Sequence, residues 1–451
     1  MSDARSALRS SWARGFILQL VVTGLAATAM HATKPTMTYR ALSLGASPLE
    51  IGLIQSAFSI VPALTAVAIG RWIDRVGESR YLMLSLGALT VGSLIALFAP
   101  GLLFLGLAQV ALGLGQIIYL VASQSLVANQ GPREGREARF GHYSTVTSIG
   151  QLAGPAIAAA IVGGSIGLVA VAGSGLLAST GTLPLPTTAG AADLLPDYRE
   201  AGVFLFGAVV TLVASAIAFV IPSTPRRPHG DASGTPGAGQ PGILAMTGQV
   251  LRRSGMISAI YVSVTVISAV DVLIAYMPAY GEDVGLSIAL VGTLLSVRAG
   301  ASLVSRFFMS QLIAWFGRSR LLALSMLVAG GGLFAMPFVT DPVILVAIMV
   351  VVGLGLGLGQ PMTIAWVANR SPRSERATAL GVRITGNRVA LLVVPTTMGA
   401  IAGSAGITAI FVVMAVSLGV GAVVALTTAF DDDAVDPPTA APTAATAEPA
   451  V

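Results

Sequence analysis

The chain has no cysteine, so disulfides and thiolate metal sites are unavailable to it. Its three histidines, His31, His142 and His229, lie far apart and make no metal-binding motif. Charge is the next shortage. Only 10% of the 451 residues are Asp, Glu, Lys or Arg, against about 25% in soluble domains. Hydrophobic residues reach 55% and mean hydropathy is +0.84. This composition excludes a disordered chain and does not fit a soluble multi-domain enzyme. Lysine is nearly missing. Lys34 is the only one, and every other basic side chain is arginine, which with the Ala and Gly richness reflects a GC-rich genome. No nucleotide-binding loop is present, so an ATP-driven pump lacks its motif. Gly353–Gly359 is glycine-rich, but it lies inside an apolar run and reads as helix packing.

What is present is long apolar runs, at about 15–38, 48–70, 81–99, 102–127, 141–163, 201–221, 254–280, 287–311, 321–340, 342–368, 379–402 and 406–428. A membrane-spanning helix needs about 20–25 residues, and twelve fit with short connections. The expected fold is therefore an all-α integral membrane protein of twelve spans. The first run has no cleavage site before a soluble domain and reads as span 1, not a signal peptide. Eighteen of the 25 basic residues fall on the side that an even span count gives to both termini, among them Arg71, Arg75, Arg80, Arg133, Arg318 and Arg373. The opposite loops hold Arg40 and Arg199 with several acids. The positive-inside rule makes both termini cytoplasmic, and the expected location is the inner membrane of a bacterium. The basic pI is thus a topology signal and calls for no nucleic-acid partner.

The expected domains are a cytoplasmic amino-terminal segment at 1–14, a six-helix half at 15–221 and a Pro/Gly/Ser/Arg-rich linker at 222–252. A second six-helix half follows at 253–428, then a disordered tail at 429–451. The halves are related by a repeat at an offset of 240. Val127-Ala128-Asn129 returns as Val367-Ala368-Asn369, and Pro132-Arg133 as Pro372-Arg373. Gly45, Ser47 and Gly52 return as Gly285, Ser287 and Gly292, and Pro155 as Pro395. The register breaks after span 5, where the first half carries an insert near 165–200, read as a tolerated loop on the outer side.

Between spans 2 and 3 stands Gly70-Arg71-Trp72-Ile73-Asp74-Arg75-Val76-Gly77-Glu78-Ser79-Arg80. It resembles the major facilitator superfamily signature G-x-L-x-D-R-x-G-R-[KR]. Its second copy, ending in Gly317-Arg318-Ser319-Arg320, has Ala314 in place of the Asp. The resemblance implies two pseudo-symmetric six-helix halves, a substrate site between them and alternating access. It also implies a conformational latch at Gly70, Asp74, Arg75, Gly77 and Arg133. In span 5, Gly150-Gln151-Leu152-Ala153-Gly154-Pro155 resembles the superfamily motif G-x-x-x-G-P-x-x-G-G, with Ala158 and Ala159 replacing the last glycines. That motif is associated with proton-driven exporters. Gly150, Gly154 and Pro155 equally suit close helix packing.

An ionisable group inside a span costs about 2.5–3.5 kcal/mol on insertion scales, which makes it a functional candidate. The candidate substrate-binding set is His31, Lys34, Gln55, Asp271, Arg298, Asn387 and Arg388. Asp271 and His31 are the candidate proton carriers. Arg383 and Arg306 are read as structural, and Gln116, Gln124 and Gln360 as weaker polar candidates. Lys34, Arg298 and Arg388 outnumber the one deep acid, Asp271, and surplus positive charge in a low-dielectric cavity suits an anion. The expected function is proton-coupled efflux of a small molecule with an anionic bias, by a monomer in the lipid bilayer without a cofactor. The alternatives are uptake of an organic anion or other metabolite, or a membrane sensor on the same fold. No enzymatic activity is expected.

Overall fold

The structure is a computed structural model. It describes residues 2–76, 78–129, 136–162, 200–221, 248–371 and 376–428, with side chains described from residue 13 and not at 66–76, 128–129, 136–138 or 376–378. The sequence readings at 165–199, 222–247 and 429–451, together with Gly77 and Arg133, lie outside the described residues, as do the side chains of Asp74 and Arg75.

Among the described residues, twelve helices are long and apolar enough to cross a membrane. They are α1 (Ser2–Ser43), α2 (Pro48–Val76), α3 (Glu78–Leu97), α4 (Leu102–Asn129), α5 (Arg136–Val162) and α6 (Ala201–Val220) in the first half. In the second half they are α7 (Met256–Asp283), α8 (Ile288–Phe307), α9 (Arg318–Ala335), α10 (Pro342–Asn369), α11 (Arg376–Ala405) and α12 (Thr408–Thr427). Helices are the natural solution for this composition, because in lipid every backbone polar group must be paired within its own segment. The span read at 287–311 is shorter than its apolar run. α8 stops at Phe307 and a separate short helix, Met309–Phe316, carries most of the degenerate second motif. Phe307 and Trp315 there are about three-quarters exposed, as suits aromatics at a membrane interface.

The repeat is visible in the turns. Gly45 and Gly285 hold left-handed φ of 77° and 75°, where only glycine sits without strain. Two residues on, Ser47 and Ser287 cap α2 and α8, their hydroxyls accepting from Glu50 N (3.3 Å) and Leu290 N (3.2 Å). Equivalent sequence thus builds the same hairpin twice.

α1 begins and α12 ends on one face of the bundle, here the terminal face; the Gly45 and Gly285 turns lie on the far face. Two seams join the halves toward the far face. In one, α2 lies on α11, with Gly52 against Pro395 and Thr396, and Gly399 against Pro48 and Leu49. Ser56 and Thr396 hydroxyls pair across it at 2.8 Å. In the other, α5 lies on α8, with Gly292 against Pro155 and Ala159. Tyr276 of α7 donates its hydroxyl to Pro395 O at 2.6 Å, and Tyr276 Oη also stands 3.4 Å from Pro48 O.

Candidate functional site

Beneath these seams the halves enclose a cavity of about 540 Å³. Helices α1, α2, α3, α4, α5, α7, α10 and α11 contribute to its wall. On α11 alone the lining runs from Leu380 to Leu391, roughly 16 Å at 1.5 Å per residue. Much of the lining is aliphatic, as in Ile267, Ile274, Ile364 and Ile384. Polar side chains, amides and charged groups above all, make up about half of it and converge on the same space, as orienting groups do in a small-molecule site.

At its far end Lys34 Nζ pairs with Asp271 Oδ1. The two side chains keep only 19% and 12% of their surface exposed, so the pair is largely withdrawn from water and joins α1 of one half to α7 of the other. Lys34 also sits 5.2 Å from the centre of the Phe58 ring, a cation–π contact. The acid's partner is therefore Lys34, and Arg298 stands off the cavity wall. Arg388 lines the same cavity and is within Coulomb reach of Asp271.

His31 lies one turn before Lys34. Its Nδ1 is 2.8 Å from Ala27 O. A carbonyl only accepts, so Nδ1 carries a proton, and in the neutral ring Nε2 is then the acceptor. Toward the terminal face, Arg383 Nη2 donates to Gln360 Oε1 (2.6 Å) and Thr363 Oγ1 (3.1 Å). Gln360 Nε2 in turn donates to Ser263 O (3.0 Å), and Ser263 Oγ to Asn387 Oδ1 (3.0 Å).

The structure thus brings His31, Lys34, Asp271, Asn387 and Arg388 to one cavity. It does not bring Gln55 or Arg298 there. Gln55 is consumed inside the wall, between Thr38 and Gln109. Arg298 is buried at 5% exposure on a stretch of α8 whose backbone abuts Gly353 of α10, and its guanidinium finds no hydrogen-bond partner among the described residues. Arg383, read from sequence as structural, lines the cavity, as do Gln116, Gln124 and Gln360. Gln109 and Gln151 also line it and were not singled out; the one available signal was an amide in an apolar run, which serves helix packing just as often. Arg306 lies outside the wall, donating from Nε to Gly357 O at 2.9 Å. Gly150 and Gly154 of α5 pack on α1, where a Cβ would come within 2.8 Å of Thr28 N and Ala32 N.

A twelve-span bundle closed at one end above a central cavity between its halves is the architecture of a secondary membrane transporter. The chain belongs to the major facilitator superfamily, whose sequence model matches residues 19–313 and 269–450. It is similar to MdtD of Citrobacter koseri, provisionally named a multidrug resistance protein, at 30% identity over 33% of this chain and 30% of the relative. MdtD of Klebsiella pneumoniae matches at 30% identity over 36% of this chain and 34% of its own length. The match spans about a third of the length of these curated relatives. Among solved structures, a bacterial homologue of the human lysosomal transporter Spinster superposes with a TM-score of 0.71 at 15% identity, covering 93% of this chain and 97% of that one. The nucleoside transporter NupG, as a point mutant, gives 0.71 at 13% identity over 92% and 99%. These likenesses are of fold.

Proposed function

We propose that this transporter is a proton-coupled exporter of small organic anions in a bacterial inner membrane, with the terminal face cytoplasmic. The observation that carries the anionic bias is the charge left over in the cavity. Asp271 is the one carboxylate among the described lining residues, and Lys34 already occupies it. Arg383 and Arg388 then remain as surplus positive charge in a cavity withdrawn from bulk water, where attraction for an anion is less screened than in water. His31, Lys34, Asp271, Asn387 and Arg388 are the proposed substrate contacts.

Asp271 is the proposed proton carrier, with His31 as the alternative. A carboxylate held between desolvation and a cation on the other half changes its proton affinity when the halves rock apart. The direction of transport is supported by the partial exporter motif around Gly150, Gly154 and Pro155 and by the names of the MdtD relatives. The latch at Gly70, Asp74, Arg75, Gly77 and Arg133 is proposed on the resemblance of its sequence.

The test is transport in proteoliposomes under an imposed pH gradient, over a panel of organic anions and lipophilic cations. Anions should move against the proton gradient and collapse it in proportion. Movement of cations only would overturn the anionic reading, and transport indifferent to the gradient would overturn the coupling.

A further inference from the structure

Three hydrogen bonds run in series through the wall of the cavity. Gln109 of α4 donates Nε2 to Gln55 Oε1 of α2 at 3.0 Å. Gln55 donates Nε2 to Thr38 Oγ1 of α1 at 3.0 Å. Thr38 donates its hydroxyl to the backbone oxygen of Ala275 in α7 at 2.7 Å. All three side chains are buried, at 1%, 3% and 1% exposure. The last bond crosses from one half of the transporter to the other.

The direction of this series is fixed by its end. Amide orientation is ordinarily assigned from the surrounding network, and here the network leaves one choice. The Ala275 carbonyl can only accept, so it claims the single proton of Thr38. The Thr38 oxygen can then only accept from Gln55, which turns the Gln55 NH2 toward Thr38 and its Oε1 toward Gln109. Gln109 must therefore present its NH2 to Gln55. Its own Oε1 is left over, on a residue that lines the cavity, and accepts nothing from the described residues.

We propose that Gln109 is a specificity-determining residue of the transport site, whose Oε1 accepts a hydrogen bond from a hydroxyl or N–H on the substrate. This rests on reading the cavity as the transport site and narrows its ligand, whatever its charge, to a molecule that carries a donor group. An acceptor left without a donor on the cavity wall discriminates against the analogue lacking the donor. The preference belongs to the state in which the far ends are closed. When α1 and α7 part, Thr38 loses Ala275 O, and its hydroxyl is free to turn to its own helix, as Thr33 and Thr36 do toward Ala29 O and Ala32 O at 2.8 Å each. Nothing then holds the two glutamines in one orientation. The wall thereby reports closure of the halves to the substrate as the polarity of one amide.

The experiment uses the full-length purified protein and measures ligand affinity by calorimetry. The probes are 10-hydroxydecanoate and its O-methyl ether, the same pair with a trimethylammonium head, and the same pair as neutral methyl esters. The ether keeps the oxygen but loses the donor. Wild type should favour the hydroxyl member by roughly tenfold, the scale of one hydrogen bond. In Gln109→Leu the two members should bind within about twofold of each other, and Thr38→Val should also erase most of the preference while Thr38→Ser keeps it. An undiminished preference in both Gln109→Leu and Thr38→Val overturns the proposal, as does wild type binding both members equally. A hydroxyl preference confined to the trimethylammonium pair leaves this proposal standing and overturns the anionic reading. Carboxylates bound without hydroxyl preference do the reverse. A protein that binds none of the six overturns both.

Discussion

Gly52 and Gly292, 240 residues apart in the repeat, occupy the same place in the two seams that close the far face. Gly52 meets the Pro395–Thr396 backbone of α11, and Gly292 meets Pro155, the repeat mate of Pro395, on α5. Each half thus lends one glycine and one proline to a seam with the other, and the pairing is reciprocal.

That reciprocity makes a first prediction. A Cβ on Gly52 would lie 2.7 Å from Tyr276 Oη and 2.9 Å from Thr396 Cα, and one on Gly292 would lie 2.7 Å from Pro155 O. Backbone cannot yield as a side chain does, so Gly52→Ala and Gly292→Ala should each weaken the far-closed state by about 1–3 kcal/mol. That is on the order of 5- to 150-fold in its population. A cysteine at Ser56, in a chain with no other cysteine, should label faster with a maleimide in both variants. Labelling at the parental rate would refute the seam argument.

The Lys34–Asp271 pair makes a second. Asp271→Asn should abolish transport driven by a pH gradient while keeping substrate exchange, and should lower the protein's stability, because it leaves Lys34 charged and unpaired in the interior. Breaking a buried pair from one side costs about 3–5 kcal/mol, whereas replacing both partners is often neutral. Lys34→Met with Asp271→Asn should therefore recover expression and thermal stability but not coupling. Should the double variant recover coupled transport as well, Asp271 is a structural counter-ion and His31 becomes the carrier to test.

The arginines separate by position. Arg388→Gln, on the cavity wall, should raise KM for an anionic substrate roughly tenfold, with Arg388→Lys recovering part of it. Arg298→Met lies outside the wall and should leave KM within about twofold. Equal effects at the two positions would mean that the cavity boundary does not decide which arginine the substrate meets.

Sidedness can be read with single cysteines in the cysteine-free chain. Ser43 ends α1 on the far face, and Ser254 precedes α7 on the terminal face, both exposed. A membrane-impermeant maleimide added to intact cells should label Ser43→Cys and spare Ser254→Cys. The opposite pattern would invert the topology.

The twelve spans were legible because their runs are long and nearly free of charge. The repeat was legible because its glycines, serines and prolines sit at turns and seams, where geometry admits few substitutes. Ionisable cavity residues such as Lys34, Asp271 and Arg388 were legible for the same reason, since an apolar run tolerates them only at a cost. What the sequence could not say is which way a side chain points from a helix that is apolar all round. Such a helix offers no polar face to orient it, so Arg298 looked equivalent to Arg388, and Arg383 looked peripheral. Gln109 escaped notice because a neutral amide is cheap enough to appear anywhere two helices touch, and only its neighbours Gln55 and Thr38 give it a direction.

Lys34 is the sole lysine of the chain, and it is held in the ion pair between the halves. Apart from an α-amino group, an amine-directed reagent therefore has one target in the whole molecule. While Asp271 holds it, that amine is engaged in the pair; once the halves separate, it should be free to react. The protein carries its own chemical clock, and the rate at which a small acylating reagent modifies Lys34 counts how often the pair comes apart, with no engineered residue and no bound substrate required.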